Sequence, residues 1–263
     1  MATTRTTKKP AAKTAAKSTS ARMSVDEVMR ALEKAGDAQT KKTYARHGAK
    51  EPMFGVRFGT LKVLLDRIGV DQELARALWK TKNQDARNLA MKIADPAKIS
   101  SADLDRWAKE NSMRMCGMYI GSLAAESPHA AAKARDWLAS SDERLRAAGW
   151  HLVAQMANLD EKTPDDWFAK RLAQIEKTIH SSPSEERGTM NAAVIAIGGR
   201  SAALRKLATA TAKRIGPVEV DHGDTACTTP DAVTYIGKLW ERAKKFESPA
   251  AAERARESMR TRC

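Results

Sequence analysis

A helical apolar stripe that keeps returning, cut at short intervals by helix breakers, restricts this chain more than any other feature. Val25, Val28, Met29 and Leu32 stand at i, i+3, i+4 and i+7 behind Ser24, a suitable N-cap, with Gly36 as a stop. Leu61, Leu64, Leu65 and Ile68 repeat the stripe before Gly69. It recurs in Met113, Cys116, Gly117 and Ile120; in Leu145, Ala148, Gly149, Leu152 and Met156; in Phe168, Leu172, Ile175 and Ile179; in Met190, Ala193, Val194 and Ile197; and in Val233, Ile236 and Trp240. Breaks such as "TKNQD", "ADPAKISSAD", "ESPH", "ASSDE", "LDEKTPDD", "SSPSEE" and "IGGRS" separate the stripes at intervals of about 15 to 20 residues. Strand-like alternation has one short candidate, "GPVEVDHG". The spacing predicts an all-α protein.

Short amphipathic helices joined by short loops can close into a bundle or stack as hairpins. The number of helices favours the second arrangement, a HEAT-like (ARM-type) αα-hairpin solenoid running from about Ser24 to Leu239 or beyond. The expected organisation is a helical-repeat domain over 23–246 and a C-terminal helix or tail over 247–263. Residues 1–22 are almost entirely Ala, Lys and Thr, and such a segment cannot offset its ordering entropy, so a disordered basic tail is expected there. A solenoid curves, and basic side chains gathered on its concave face would cradle a duplex.

The charge points the same way. Lys and Arg number 46 against 32 Asp and Glu, a net charge of +14, and a surplus of that size favours polyanions, nucleic acid first and an anionic membrane surface second. The surplus is not confined to the tail, whose six basic residues leave 40 against 32 in the rest. No stretch approaches the roughly 18 apolar residues of a membrane span. Cys116, Cys227 and Cys263 are too few and too far apart for a disulfide framework, which suits a reducing cytoplasm. The N-terminus has the charge of a signal peptide without the apolar block. It shares the composition of an organelle transit peptide, but a bacterial basic tail on a cytoplasmic, nucleoid-associated monomer is the simpler reading.

Residues 218–229, "VEVDHGDTACTT", place Asp221, His222, Asp224 and Cys227 close together. A structural zinc site wants two close pairs of nitrogen or sulfur ligands, and no second pair exists for these. A Cys–His nucleophile pair would lack an orienting third group. Gly223 and "TTPDA" instead describe a connector, with Thr229 as N-cap and Pro230 as the first helical residue of the next helix. No metal and no cofactor are expected.

The stretch "TKKTYARHGAKEPMFGVRFGTLKVL", a basic tyrosine-bearing helix followed by an irregular linker and a new helix, resembles the bacterial DNA alkylation repair family, the AlkD-like HEAT-repeat glycosylases. The likeness continues through "ELARALWKTKNQDARNLAMKIADP", "SDERLRAAGWHLVAQMA" and "MNAAVIAIGGRSAALRKLA", covering most of residues 24–215. The resemblance implies binding of alkylated double-stranded DNA and excision of cationic N3- or N7-alkylpurines. A carboxylate would stabilise the oxocarbenium character of the sugar, two tryptophans would hold the deoxyribose, an arginine would grip the backbone and a tyrosine would line the cleft. It also implies that the base need not enter a protein pocket.

On this sequence Tyr44 falls at the tyrosine and Arg146 at the arginine. Lys109, Met113 and Val194 fall where the first tryptophan, the aspartate and the second tryptophan are expected, and all three depart from the pattern. Trp107 and Glu110 lie within one turn and are the substitutes, with Glu110 as the candidate catalytic carboxylate. The candidate DNA-binding set is Lys41, Lys42, Tyr44, Arg46, Arg57, Trp107, Arg114, Arg146 and Arg187. Structural roles compete at each position: Trp107, Trp137 and Trp150 sit among aliphatics as packing would require, and Arg146 and Arg187 flank apolar stripes from which arginines reach the rim. Two other functions stay open, a HEAT-repeat DNA-binding protein without catalysis that recognises lesions or DNA structure, and a helical scaffold for another protein.

Overall fold

A computed structural model describes residues 22–262. The expected disordered tail therefore lies outside the described residues, apart from Arg22, whose guanidinium pairs with Asp71 at 3.0 Å. Fourteen α-helices and no strand occur among the described residues. Three helices lead: α1 (Val25–Lys34), α2 (Ala38–Arg46) and α3 (Phe58–Ile68). Five antiparallel pairs follow: α4 (Gln72–Lys80) with α5 (Gln84–Ile93), α6 (Ser101–Glu110) with α7 (Gly117–Ala125), α8 (Ala130–Leu138) with α9 (Glu143–Leu159), α10 (Asp165–Thr178) with α11 (Ser184–Gly198), and α12 (Ala202–Ile215) with α13 (Ala232–Arg242). The last helix is α14 (Pro249–Arg254).

Local chemistry sets these boundaries. Ser24 and Glu27 form a reciprocal capping box on α1, the Ser24 Oγ accepting the Glu27 N–H at 3.2 Å and the Glu27 carboxylate accepting the Ser24 N–H at 2.7 Å. Gly69 ends α3 at φ 69°, a conformation that suits a residue without a Cβ. The one stretch with strand-like alternation, 216–223, forms no strand. That stretch belongs to an irregular loop from Gly216 to Asp231: Pro217 has no N–H for a strand ladder, Asp221 accepts the Gly223 N–H, and the Thr225 hydroxyl donates to the His222 carbonyl.

Helices α5, α7, α9, α11 and α13 form one row and α4, α6, α8, α10 and α12 the other, as in a HEAT-like solenoid. In the first row α7, α9 and α11 pack directly on one another, which marks it as the inside of the curve. Gly121 permits the closest approach, since a Cβ there would lie 2.8 Å from the backbone of His151 in α9. Apolar stripes of both rows meet between them in a continuous core that includes Leu89, Leu104, Leu123, Trp150, Leu152 and Ile197.

Two buried polar hubs hold the ends of the array. Asp85, fully buried at the start of α5, accepts the backbone N–H groups of Phe54, Gly55 and Val56 at 2.6, 3.0 and 2.8 Å, fixing the linker between α2 and α3. At the far side Arg200 reaches the carbonyls of Met156, Ala157, Asp160 and Thr163, pairs with Asp165 at 3.0 Å and lies 4.4 Å over the Phe168 ring. It thereby satisfies the open carbonyl end of α9.

After α14, which packs on α9, the chain turns back along the array. Arg260 is buried and pairs with Glu126, while the Nζ of fully buried Lys92 donates to the carbonyls of Arg260 and Arg262 at 2.9 and 2.7 Å and sits 4.0 Å from the Tyr119 ring. Lys62 of α3 also pairs with Glu257 at 3.2 Å.

Candidate nucleic-acid interface

Every inner-row helix begins at the same edge of the solenoid, because each follows an outer helix through a turn. That edge collects the positive ends of the inner helix dipoles together with the basic last turns of the outer helices. Lys80, Lys82, Lys109, Arg114 and Arg144 stand along it, and none has a carboxylate partner among the described residues. Arg46, at the end of α2, joins them: the Arg114 guanidinium donates to the Arg46 carbonyl at 3.2 Å and the Arg114 N–H to the His47 carbonyl at 3.1 Å. Arg144 in turn donates to the Lys109 carbonyl at 2.9 Å. Burial, then Arg114, Arg46 and His222, hold the His47 pKa below its ordinary value.

The opposite edge carries arginines too, but Arg200, Arg254 and Arg260 are paired with Asp165, Glu161 and Glu126. The first rim therefore carries free cationic charge that these three arginines do not offer. The concave face expected to be basic is mixed: the wall formed by α9 and α11 presents Ala154, Ala192, Ile195 and Ala196, while Arg242 and Arg256 line the same cavity.

The loop Gly216–Asp231 lies on this rim. The Asp221 N–H donates to Ser184 Oγ at 2.7 Å, and a Cβ on Gly223 would lie 3.6 Å from the Arg114 guanidinium. Inside the loop a His222 ring nitrogen lies 3.0 Å from Thr229 Oγ1, and Asp221 accepts the Gly223 N–H at 2.8 Å. Thr229 is thus engaged by His222, and Asp231 takes the N-cap expected of it, accepting the Thr234 N–H at 2.8 Å. No group of three or more ligating side chains converges among the described residues.

The residues singled out from sequence divide sharply. Lys42, Arg46 and Arg114 are exposed on or near the rim. Lys41 and Arg57 are occupied by Glu51 at 2.8 Å and Asp37 at 3.0 Å. Tyr44, expected to line the cleft, is buried, its hydroxyl donating to the Val56 carbonyl at 2.6 Å, because its helix face packs on the linker that Asp85 anchors. Trp107 is fully buried and stacked on Trp79, centroids 4.4 Å apart, so it is a packing residue and not a sugar platform. Glu110 accepts the Trp79 indole N–H at 2.8 Å and a 2.6 Å ion pair from Arg87, which fixes its carboxylate against that stacked pair. Arg146 is partly buried and occupied, donating to Glu186 at 2.9 Å and to the Ser140 and Ser141 carbonyls, and Arg187 is partly buried. Met113 and Val194 face the core.

Three residues that sequence reasoning missed border the groove. Glu185, in the first turn of α11, has a carboxyl pKa raised by desolvation and by Glu143, against the pull of Arg114 and Arg144. His151 and Gln155 of α9, four residues apart and so on one helix face, line a cavity of about 450 Å³ on the inner wall. The His151 ring lies against Gly117, where a Cβ would be 2.6 Å from Nε2, and burial lowers its pKa from 6.5 to about 4. The fold therefore favours neutral His151. The stability this contributes is complete above pH 6.5 and falls away as the pH drops from there towards 4, where the unfolded chain binds a proton that the folded chain refuses. His151→Leu is expected to flatten the acid side of a stability–pH curve measured by urea unfolding between pH 7 and 4.

Comparison with known proteins agrees with this architecture. The chain is 27% identical over 227 residues to an uncharacterized protein of Listeria monocytogenes, covering 84% of this chain and 97% of that one. It is 27% identical over 225 residues to an uncharacterized protein of Listeria innocua, covering 83% and 96%. One solved structure superposes with a TM-score of 0.75 at 33% identity, covering 84% of this chain and 95% of that one. It is described as a new family of proteins related to the HEAT-like repeat DNA glycosylases with affinity for branched DNA structures. The sequence profile described as DNA alkylation repair enzyme matches residues 28–236, from α1 through α13, and so takes in all five helix pairs and the whole cationic rim. By that match the chain belongs to the DNA alkylation repair enzyme family.

Proposed function

We propose that this protein binds DNA along its cationic rim, prefers branched or distorted DNA to a straight duplex, and does not excise alkylpurines through Glu110. The observation that carries the proposal is the row of Arg46, Lys109, Arg114 and Arg144 at the helix-start edge, none with a carboxylate partner among the described residues, set beside a Glu110 carboxylate already held by Trp79 and Arg87. A positive rim backed by helix N-termini suits phosphates. The loop Gly216–Asp231 stands on that rim between α11 and Arg114, so a straight rod meets an obstruction where two diverging arms would pass on either side. The affinity for branched DNA ascribed to the solved relative supports the same preference.

Anisotropy titrations with a three-way junction and a linear duplex of equal length are expected to show tighter binding to the junction. For four phosphate contacts, affinity should fall about 10²-fold between 50 and 200 mM salt. Reversing Arg46, Arg114 and Arg144 together to glutamate should cost at least about tenfold and flatten the salt slope; wild-type affinity in that variant would refute the rim. The second reading, alkylpurine excision, follows from the family. Release of 7-methylguanine from methylated duplex that disappears in Glu110→Gln would establish it and remove the non-catalytic proposal.

A further inference from the structure

The concave cavity has a chemistry that phosphate binding leaves unused. Its floor is apolar, formed by Ala154, Ala192, Ile195 and Ala196, and one wall is supplied by the returning C-terminal segment through Met259. Gln155 is buried in this apolar setting with its Oε1 lacking any hydrogen-bond partner. A buried unpaired carboxamide oxygen is costly, and native proteins keep few of them without a use. His151, one turn away on the same face, is neutral, and burial alone governs its titration, with no hydrogen bond contributing. Tyr235 and Arg242 also line the cavity: Tyr235 exposes part of its aromatic ring, with the Lys238 ammonium 5.6 Å from its centroid, and Arg242 has no carboxylate partner among the described residues.

An apolar floor, a carboxamide and an imidazole one turn apart, an exposed aromatic ring and a cation in the lining fit a nucleobase followed by its phosphate. We propose that this cavity receives one unpaired adenine extruded from DNA bound on the rim. Gln155 would accept from the N6 amino group through Oε1 and donate to N7 through its amide nitrogen, the pairing that carboxamides make with adenine edges. His151 would meet the other edge of the ring, and Tyr235 would stack against the sugar or the neighbouring base. The cavity volume lies within the range of about 300–1,000 Å³ typical of small-ligand sites and is ample for one nucleoside. A branch point supplies the substrate, because an unpaired base there leaves the stack at little cost. The inference rests on the DNA-binding reading above for the source of the base, though not for the pocket's chemistry.

The test uses the full chain and three-way junctions carrying at the branch a single unpaired adenine, unsubstituted purine, or an abasic site. Wild-type protein should bind the adenine junction about tenfold more tightly than the other two. Gln155→Leu, which replaces an unsatisfied polar group with an apolar one of similar size, and Ala192→Phe, which fills the cavity, should both erase that preference while keeping the affinity for the abasic junction. Equal binding of all three junctions by folded wild-type protein would overturn the proposal. Should the protein bind no junction at all, the DNA-binding reading fails, and calorimetry with adenosine 5′-monophosphate decides the pocket. Heat that vanishes in Gln155→Leu would keep an adenine site fed by free nucleotide, and no heat would end it.

Discussion

Asp85→Ala will lower stability by about 3–5 kcal/mol, seen as a fall in melting temperature on the order of 10 °C by circular dichroism. The Asp85 carboxylate lies at zero exposure and is the acceptor for three consecutive backbone N–H groups, those of Phe54, Gly55 and Val56. Truncation strands all three, two of them on buried residues, and a methyl group offers nothing in return. Asp85→Asn should fall between wild type and alanine, because its carboxamide oxygen can still accept while its amino group meets donors. The effect reaches the rim as well. The linker held by Asp85 receives the Tyr44 hydroxyl and so seats α2, whose last residue is Arg46. Below its melting temperature the alanine variant should therefore also bind DNA more weakly.

Arg200→Ala is expected to cost about 3–4 kcal/mol by scanning calorimetry, with a different functional outcome. The guanidinium serves four carbonyls and the Asp165 carboxylate, and removing it leaves the carboxyl end of α9 and the turn after it without donors. Lysine should recover little, since an ammonium cannot reproduce the planar fork or the stacking on Phe168. Arg200 lies on the edge opposite the free cations, so folded Arg200→Ala should keep its DNA affinity. The two variants together separate a stability defect from an interface defect.

The helices were legible because their physics is local. Val25, Val28, Met29 and Leu32 with the Ser24 cap became α1, and Leu61, Leu64, Leu65 and Ile68 before Gly69 became α3, as apolar spacing and capping require. Met113 and Val194, both on the apolar stripes, face the core for the same reason. The interface was legible only in part, because which face of a helix meets a groove is a tertiary fact. Tyr44 and Trp107 carry the chemistry of DNA contacts but turn inward, one tied to Val56 and the other stacked on Trp79. Arg144 and Arg146 differ by two residues and look interchangeable in sequence, yet one stands on the rim and the other is locked to Glu186. The unpartnered state of the Gln155 oxygen gave no signal, since a missing partner is visible only when every neighbour is placed. The pair His151 and Gln155 is visible as two polar residues at i and i+4 in the otherwise apolar 147–157 stretch of α9.

Repeat arrays whose units touch only their neighbours behave like springs: they flex along their length and can unravel from either end. Here the returning C-terminal segment fastens Lys92 to Arg260 and Arg262, partners 168 and 170 positions away, and pins Glu257 to Lys62. A spring clasped between its first and last coils loses most of its stretch. Fraying at one terminus must then undo contacts made by the other, so melting should become a single concerted event. The gap between the arms is set once, at folding, like the span of a fixed caliper.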